Sequence, residues 1–397
     1  MLTVTEAEKI LLSNLPQWKN KKVHVSDSLG CVLQENIIAS RPQPPFDRAT
    51  MDGIAIAFGD YQRGLRQFHL QGVVLAGDAI QKLKYENCFQ IMTGAVVPES
   101  ADCVVPIEQV VIDETQATIT SDAVKQGQFI HAMGTDYKKG QTLLTPGTRI
   151  GSPELGCILT SGIQYLSVAH DPRITIITTG NELVKAGEAI QPHQIYATND
   201  AVLSALLKQH GFSNSHCRHA NDSVEILTNV LSRALQESDV LIITGGVSMG
   251  KTDFVPSVLH QLGVEKLFHK IAQRPGKPMW FGRKNDKLVF GLPGNPVSAY
   301  VCLRRYVIPA LQHIQHTNMI KKTRVYLTES ISPSASLTFF IPTICHQSDD
   351  NRTQAKLKLT NTSGDFFSLV GTDGMVELPL GITDFPKGSE VNFYSWI

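Results

Sequence analysis

The sequence predicts a multi-domain protein of the α/β plus β class. A central parallel-sheet α/β domain is flanked by an N-terminal linker and β lobe and by a small C-terminal β domain. The chain of 397 residues is longer than one hydrophobic core usually spans. Strand and helix patterns alternate between about residues 171 and 316, which is typical of βαβ units. On either side, short alternating apolar runs are separated by glycine and proline, as in β domains.

These changes of pattern set the expected boundaries. Four domains are expected. A helical and extended linker domain comprises residues 1–45 and 141–170, and a β-rich lobe comprises 46–140. An α/β domain follows at 171–320 and a C-terminal β domain at 321–397. The segment 135–150 has turn signals on both sides of one predicted strand, as expected of a connection between lobes.

An amphipathic helix is predicted at the N-terminus. Thr3 and Glu6 have the spacing of a capping box. The apolar residues that share one face of this helix are Val4, Ala7, Ile10 and Leu11. The segment lacks the basic start and small-residue cleavage site of a signal peptide. We therefore expect a cytoplasmic protein.

Charge and cysteine content exclude several classes of protein. Lysine plus arginine equals aspartate plus glutamate, at 36 each, so no overall field attracts nucleic acid or an anionic membrane. No apolar run in the sequence is long enough to span a bilayer. The seven cysteines are scattered and contain no CxxC pair, which argues against a disulfide framework and a zinc knuckle. We expect neither nucleic acid nor a membrane as a partner.

The individual elements follow in chain order. The alternating runs of the β lobe are MDGIAIAF, FHLQGVVLAG and CVVPIEQVVI. Strands of the α/β domain are predicted at Ile174–Thr178, near Ser215–Arg218, at Val240–Thr244 and at Leu288–Phe290. Helices are predicted at Asp200–Gln209, Ser223–Gln236 and Pro296–Ile314. Beyond residue 321, short β runs return between proline, glycine, serine and aspartate.

Four loops that follow the strands should share one edge of the sheet, because ligands of open α/β sheets bind beyond the carboxyl ends of the strands. The loops are Thr178–Glu182, His219–Asp222, Gly245–Gly250 and Gly291–Pro296. Glycine lets backbone N–H groups approach phosphate oxygens, and a helix that begins near Pro296 would add its positive end. A glycine after a strand is ordinarily only a turn, so the prediction depends on all four loops together.

Charged residues near these loops favour a metal-assisted phosphate site. Glu182, Asp222 and Asp253 can hold a hard cation such as Mg²⁺, which prefers carboxylates together with substrate phosphate. The basic segment, residues 270–278, reads KIAQRPGKP and carries three cations. Such spacing can line a pocket for a multiply charged anion. A nucleotide or another phosphorylated ligand with a divalent metal fits this combination.

The stretch 245–252, GGVSMGKT, satisfies the P-loop pattern and follows a predicted strand. Two features argue against a P-loop NTPase. Pro256 lies four residues past Thr252, where it would disturb the helix that a P-loop requires. The sequence also offers no good second strand that ends in a metal-holding aspartate.

Two longer blocks resemble a known family. Residues 44–55, PPFDRATMDGIA, resemble the PPFDNSAMDGYA block of the molybdopterin molybdenumtransferases (bacterial MoeA-type proteins and the gephyrin E domain). Residues 91–98, IMTGAVVP, resemble the family's RIMTGAPVP block. The segments that also match, in the family's order, are 134–136, 179–183, 245–250, 274–278 and 291–299. The resemblance covers about residues 1–315 strongly and the remainder weakly.

The resemblance implies an activity and an assembly. The family inserts molybdate into adenylated molybdopterin, cleaves the pyrophosphate bond, and releases molybdenum cofactor and AMP with a divalent cation such as Mg²⁺. It implies a central domain of the molybdopterin-binding type and an elongated homodimer of four-domain subunits. The site would lie in a cleft between one subunit's α/β domain and the other subunit's β lobe. A molybdopterin adenylyltransferase or another cofactor-pathway protein is the candidate protein partner.

The resemblance also implies roles for residues at matching positions. The expected catalytic residues are Asp52, Thr93, Asp136, Glu182, Asp222 and Asp253, of which the last three are also expected metal ligands. The expected cofactor-binding residues are Ser248, Lys270, Arg274, Lys277, Pro293 and Pro296. Which carboxylate holds the metal and which acts as general base stays open at this point.

The C-terminal domain departs from the family pattern. The family has an arginine-rich G-R-x-x-F/Y-x-R strand, whereas the matching stretch here is 336–342, SLTFFIP. Loss of these arginines puts anion contacts from this domain in doubt, and Arg352 is a candidate substitute. Two rival functions are a molybdopterin adenylyltransferase-like enzyme and a catalytically weakened scaffold on the same fold. The 51–53 and 92–94 blocks argue against the first, and the retained acidic and basic residues argue against the second.

Overall fold

The computed structural model of the chain describes residues 1–247, 253–317, 323–359, 362–364 and 366–397. The chain divides by its contacts into two compact units. The first unit comprises Met1–Glu35, Pro146–Gly151 and Tyr165–Ile397. The second unit comprises Asn36–Thr145 and Ser152–Gln164. The chain therefore enters and leaves the second unit twice.

A six-stranded sheet forms the centre of the first unit. Its strands, numbered in chain order, are Ile174–Thr179 (β1), Ser215–Ala220 (β2), Val240–Thr244 (β3), Glu265–His269 (β4), Trp280–Lys284 (β5) and Lys287–Leu292 (β6). Their order across the sheet is β2-β1-β3-β6-β5-β4. The strands β2, β1, β3 and β6 are parallel, as predicted. The strands β5 and β4, which were not predicted, are antiparallel to their neighbours.

The helices and apolar side chains around this sheet form the main core. The strands β1 and β3 are buried along their whole length, as expected of strands that are covered on both faces. The helices of this domain are Asn199–Gln209, Val224–Glu237, Val255–Gln261, Pro296–Cys302 and Ile308–Ile314. A π-helical turn, Leu303–Val307, joins the last two, so the predicted helix 296–314 is one continuous helical run.

The N-terminal helix, Val4–Ser13, belongs to the same core. The predicted capping box is present: the Glu6 backbone N–H donates to the Thr3 hydroxyl over 3.2 Å, and the Thr3 N–H donates to the Glu6 carboxylate over 2.8 Å. Val4, Ala7 and Leu11 are buried against the central domain. The amphipathic pattern therefore gives both the start of this helix and the face that it buries.

A closed β structure forms the C-terminal part of the first unit. Its strands are Thr323–Leu327, Thr338–Gln347, Thr353–Leu357, Gly374–Leu378 and Glu390–Ser395. The strand Thr338–Gln347 pairs with Thr353–Leu357 on one side and with Gly374–Leu378 on the other, which closes the barrel. The short strand Gln273–Arg274, which lies in the basic segment, adds to this sheet in parallel with Thr338 and Phe339. The barrel thereby includes backbone from the central domain.

Shorter elements complete the first unit. The strand Lys21–His24 pairs with Tyr165–Val168 in an antiparallel orientation. The strand Leu183–Val184 pairs with Ile195–Tyr196 in a parallel orientation. Single 3-10 turns occur at Val25–Asp27 and Phe366–Leu369. The pair formed by Leu183–Val184 and Ile195–Tyr196 follows the end of β1, and its residues contribute to the site below.

The second unit is a β lobe with its own core. Its six-stranded sheet has the order Cys103–Pro106, Gly53–Ile56, Asn87–Ile91, Gln67–Val74, Gln116–Ile119, Val110–Ile112. Two-stranded pairings join Arg48–Ala49 to Ile130–His131 and Ile37–Ile38 to Thr142–Leu144. The helical segments are Phe58–Gln62, Ile107–Gln109 and Ser152–Thr160. Gly53 is required by packing, since a Cβ atom there would lie 1.9 Å from the Val105 carbonyl oxygen.

The contacts distinguish two units rather than four domains, because the central and C-terminal domains share the first unit. The four-domain boundaries therefore stay a prediction. The linker strand that was expected within 135–150 is Thr142–Leu144. Among the helices that the structure describes, none has the length and apolar character needed to cross a membrane.

Candidate active site

A cavity of about 1130 Å³ lies at the carboxyl ends of the parallel strands in the first unit. All four loops that the sequence placed at this edge contribute to its lining. They supply Gly180 and Glu182 after β1, Asp222 after β2, Gly245 to Val247 after β3, and Pro293 to Pro296 after β6. Parallel strands bring their following loops to one edge, and that rule alone located this cavity.

Three carboxylates share this cavity. Glu182, Asp222 and Asp253 all line it. Burial raises the pKa of the Asp222 carboxyl above its ordinary value, and the negative charges of Glu182 and Asp253 raise it further. Polar contacts with Thr179 and Asn181 act in the opposite direction without reversing the shift. Glu182 and Asp253 therefore both lie close enough to Asp222 to disfavour its ionised form.

The carboxylates suit a cation that is bound jointly by protein and substrate better than one that is coordinated by protein ligands alone. Among the residues that the structure describes, no group of three His, Cys, Asp or Glu side chains is placed to hold a metal ion by itself. Mg²⁺ usually takes only one or two protein carboxylates and completes its shell with water and substrate phosphate. The negative charges of Glu182 and Asp253 disfavour the ionised form of Asp222, and a bound cation would offset that effect. The donor set fits an ion that binds together with a phosphorylated substrate.

The basic segment supplies positive charge to the same cavity. Arg274 and Lys277 line it, and both are exposed to solvent within it. Gly276 between them has a φ of +94°, and a Cβ atom there would lie 2.5 Å from the Cys302 sulfur. Glycine is therefore required for the turn that presents both cations. Lys270 is not among the described residues that line the cavity, so its role stays a prediction.

The floor near the last strand is set by Pro293 and Pro296, which both line the cavity. Pro296 begins the helix, as predicted, but the positive end of this helix is partly occupied. The Val297 N–H donates to the Ser363 carbonyl over 3.0 Å, and the Asn295 amide donates to the Ser363 hydroxyl over 2.7 Å. Ser248 lies outside the described residues. The helix beyond the P-loop-like stretch begins at Val255 with Pro256 in its first turn.

Asn199 is a site residue that the sequence analysis missed. It is nearly buried at the base of the cavity, where its amide nitrogen donates to the Gly294 carbonyl over 2.8 Å and to the Thr244 hydroxyl over 3.2 Å. Its buried Oδ1 has no hydrogen-bond partner among the described residues. A ligand donor or an ordered water would satisfy that oxygen. The signal in the sequence was Thr198-Asn199 at the start of a helix, which resembles an ordinary cap.

The second unit holds the other predicted acids. The Asp52 carboxylate accepts hydrogen bonds from the Thr93 N–H over 2.7 Å and from the Thr93 hydroxyl over 2.8 Å. The backbone hydrogen bond, followed by the hydroxyl, lowers the pKa of Asp52 below its ordinary value. The structure thus brings Asp52 and Thr93 together on the exposed surface of the lobe, from two separate sequence blocks.

Asp136 belongs to a short hydrogen-bonded chain in the same unit. The Arg48 guanidinium lies 3.1 Å from His131 Nδ1, and His131 Nε2 lies 3.0 Å from the Asp136 carboxylate. Arginine can only donate, so Nδ1 must accept and the ring proton must reside on Nε2, which donates to Asp136. Arg48 and His131 therefore orient Asp136. Neither was predicted, because their link depends on the pairing of Arg48–Ala49 with Ile130–His131.

Three family models cover most of the chain. The model of the MoeA N-terminal region (domains I and II) matches residues 2–162. The model of the probable molybdopterin-binding domain matches residues 175–313, and that of the MoeA C-terminal region (domain IV) matches residues 324–396. The three models lie in the order that the sequence blocks indicated.

Relatives and solved structures agree with these models over the full length. A molybdopterin molybdenumtransferase of Synechocystis is 35% identical over 100% of both chains. One of Bacillus subtilis is 30% identical over 98% of this chain and 93% of its own. The crystal structure of a molybdopterin biosynthesis MoeA protein of Pyrococcus horikoshii superposes with a TM-score of 0.83, is 29% identical, and covers 100% of this chain and 99% of its own.

Proposed function

The chain belongs to the molybdopterin molybdenumtransferase family, and on that premise we propose that it inserts molybdate into adenylated molybdopterin to give molybdenum cofactor and AMP. One observation in the structure carries the proposal. A single cavity joins the glycine loops at the sheet edge, three carboxylates that interact electrostatically, and the Arg274–Lys277 cations. This combination suits a phosphoanhydride substrate together with an oxyanion.

The basic and the acidic side chains of the cavity have different roles. Arg274 and Lys277 neutralise the phosphate oxygens on which negative charge develops when the adenylate is cleaved. The same cations attract molybdate, which is a tetrahedral dianion. Burial raises the pKa of the Asp222 carboxyl, which makes this acid the candidate for proton exchange in the site.

One or two of the carboxylates Glu182, Asp222 and Asp253 would hold Mg²⁺ together with the substrate phosphates. The ion would polarise the phosphoanhydride when it is bound. Because the protein supplies only part of the coordination shell, we expect cation affinity to rise when the phosphorylated substrate is present. Removal of the cation with EDTA should stop AMP release, and added Mg²⁺ should restore it.

We further propose a homodimer in which Asp52, Thr93 and Asp136 serve the cavity of the other subunit. The test is a mixed dimer of Asp52→Ala and Asp222→Asn chains, prepared by co-expression with two affinity tags. Each variant alone should be inactive. The mixed dimer should regain about half of the wild-type activity, because one of its two sites is intact. An inactive mixed dimer would place both residues in the site of one subunit.

The activity itself is tested with purified full-length protein, adenylated molybdopterin, molybdate and Mg²⁺. We expect AMP release that depends on molybdate, together with cofactor that reconstitutes a molybdenum enzyme. A molybdopterin adenylyltransferase would instead consume ATP and metal-free molybdopterin. Adenylation of molybdopterin without any molybdate-dependent AMP release would overturn the proposal in favour of that activity.

The proposed setting is the cytoplasm, with a molybdopterin adenylyltransferase as the supplier of substrate. All seven cysteines of the chain are free thiols in the structure, which suits a reducing compartment. The substrate is an adenylate, so an enzyme that activates molybdopterin with ATP must precede this one. Affinity capture with that enzyme as bait, in the presence and absence of molybdate, would test the partnership.

A further inference from the structure

The cavity has two chemically different walls. Its charged wall is formed by the acidic loops and the basic segment described above. A second part of the lining comes from the C-terminal domain, where an apolar shelf lies among the polar residues Ser332, Thr362 and Ser363. This apolar shelf consists of Ile331, Pro333, Leu337, Phe339, Pro342 and Leu359. A site for phosphate and molybdate alone needs no such surface, because burying apolar groups against those anions gains nothing.

Phe339 is held beside the phosphate-binding cations by backbone pairing. The strand Gln273–Arg274 pairs in parallel with the barrel strand, in a register that sets Arg274 opposite Phe339. The Thr338 N–H donates to the Ala272 carbonyl over 2.9 Å, which fixes the same junction. Residues opposite each other in a sheet place their side chains on the same face. Arg274 and Phe339, which both line the cavity, are therefore neighbours in it.

Several side chains of the shelf are partly exposed, and Ile331 and Phe339 also pack against the apolar core of the barrel. Phe339 and Leu337 are half-buried, and Leu359 is 71% exposed. Leu337 and Phe339 lie in the stretch, residues 336–342, in which the sequence departs from the family's arginine-rich strand. Apolar and aromatic surface next to a cation suits a flat ring that carries a phosphate, since the ring can stack while the phosphate is neutralised.

We infer that the apolar shelf is a ring-recognition subsite, in which Phe339, supported by Leu337, stacks against the fused heteroaromatic ring of the substrate while Arg274 and Lys277 bind its phosphate. The identity of the ring rests on the proposed function, whose substrate carries a pterin and an adenine. Phe339 acts as a specificity-determining residue and takes no part in bond cleavage. The barrel of this chain thereby contributes stacking where the family's arginines would contribute charge.

The experiment measures the dissociation constants of three probes by calorimetry with full-length protein. AMP carries adenine, metal-free molybdopterin carries the pterin, and ribose 5-phosphate carries a phosphate without a ring. The variants are Phe339→Ser, which removes the stacking surface, and Phe339→Tyr, which keeps it. Ile344→Ser is the matched control, because Ile344 is an exposed residue of the same strand that does not line the cavity.

We expect Phe339→Ser to weaken AMP or molybdopterin binding by roughly tenfold, the usual scale for loss of one aromatic stacking partner. Phe339→Tyr and Ile344→Ser should stay within about twofold of wild type, and ribose 5-phosphate should be unaffected by all three. The probe that responds identifies the ring on the shelf. The inference is overturned if neither ring-bearing probe responds, if ribose 5-phosphate weakens equally, or if wild type binds neither ring.

The same variants separate this inference from the proposed function. In the AMP-release assay, Phe339→Ser should raise KM for adenylated molybdopterin far more than it lowers kcat. An unchanged KM would overturn the ring subsite and leave the molybdenum-insertion activity standing. A different result would overturn the activity and support the subsite. In that case the wild-type protein would release no AMP in response to molybdate, but Phe339→Ser would still weaken AMP binding.

Discussion

Asp222 is expected to lower the stability of the folded chain and to contribute to its activity. Its pKa is raised in the folded chain by burial and by Glu182, so folding is favoured when it is protonated and disfavoured as the pH rises through that pKa. We expect Asp222→Asn to increase the free energy of unfolding at pH 7 and to have little effect at about pH 2.5, well below the ordinary Asp pKa of about 3.9, where the carboxyl is protonated in both states. AMP release should fall by roughly 100-fold or more.

Urea unfolding at the two pH values, together with the AMP assay, checks this expectation. Asp286→Asn is the matched control, because Asp286 is an exposed carboxylate in the turn between β5 and β6 of the same domain. It should change neither the pH dependence nor the activity. An Asp222→Asn variant with the same stability gain at both pH values would show that ionisation of Asp222 is not the cause.

Asn199 should matter to both stability and binding. Asn199→Ala removes the donors to Gly294 and Thr244, and we expect it to lower the free energy of unfolding by about 1–2 kcal/mol. It also removes the buried Oδ1, so AMP or molybdopterin should bind more weakly. Chemical denaturation and calorimetry measure the two effects. A variant that is as stable as wild type and binds both probes normally would contradict this role.

At the scale of one element, the strand Gly53–Ile56 depends on its first residue. Gly53→Ala would force a methyl group against the Val105 backbone, which cannot move without breaking the sheet. We expect a loss of about 2–3 kcal/mol in the stability of the lobe, measurable as a lower thermal midpoint. Gly59→Ala is the control, since its Cβ would meet only the flexible end of Arg63 at 3.9 Å. Equal effects of the two substitutions would exclude a steric cause.

The elements also show what a sequence pattern can and cannot predict. The strand Val240–Thr244 was predicted to the residue, because it is an uninterrupted apolar run that is buried on both faces. The hairpin of β5 and β6 was predicted only in its second strand, and the turn at Asn285 and Asp286 that joins the two strands was not predicted. Asn285 takes a φ of +54°, as a tight hairpin turn requires. The mixture of parallel and antiparallel strands follows from that turn.

At the scale of the molecule, Arg305 connects three parts of the first unit. Its side chain is 4% exposed, donates to Glu8 of the N-terminal helix over 2.9 Å, and lies 4.0 Å from Glu377 of the barrel. Arg305→Met should lower the free energy of unfolding by about 3 kcal/mol, because it removes the cation beside the buried Glu377 carboxylate and leaves only the hydrogen bond from the Tyr394 hydroxyl. The double variant Arg305→Met/Glu377→Gln should recover part of this loss. Denaturation curves in urea distinguish the two results.

The site was predictable to the extent that local sequence determines it. The four strand-end loops and their acids follow from the topology of a parallel sheet, which the alternation of strands and helices already indicates. The pairing of Arg274 with Phe339, the Arg48–His131–Asp136 chain and the contacts of Asn199 depend on residues that are distant in sequence. No periodicity encodes such contacts, so they became visible only in the folded chain.

The pairing of Gln273–Arg274 with Thr338–Phe339 has a consequence for biosynthesis. The ribosome completes the central domain well before it reaches the barrel strand, and domains generally begin to fold in the order in which they emerge. A nascent chain that ends before the barrel would therefore already possess the acidic loops and both cations, with one wall still missing. If the apolar shelf recognises the ring of the substrate as inferred, a prematurely terminated chain would bind phosphate without that selectivity.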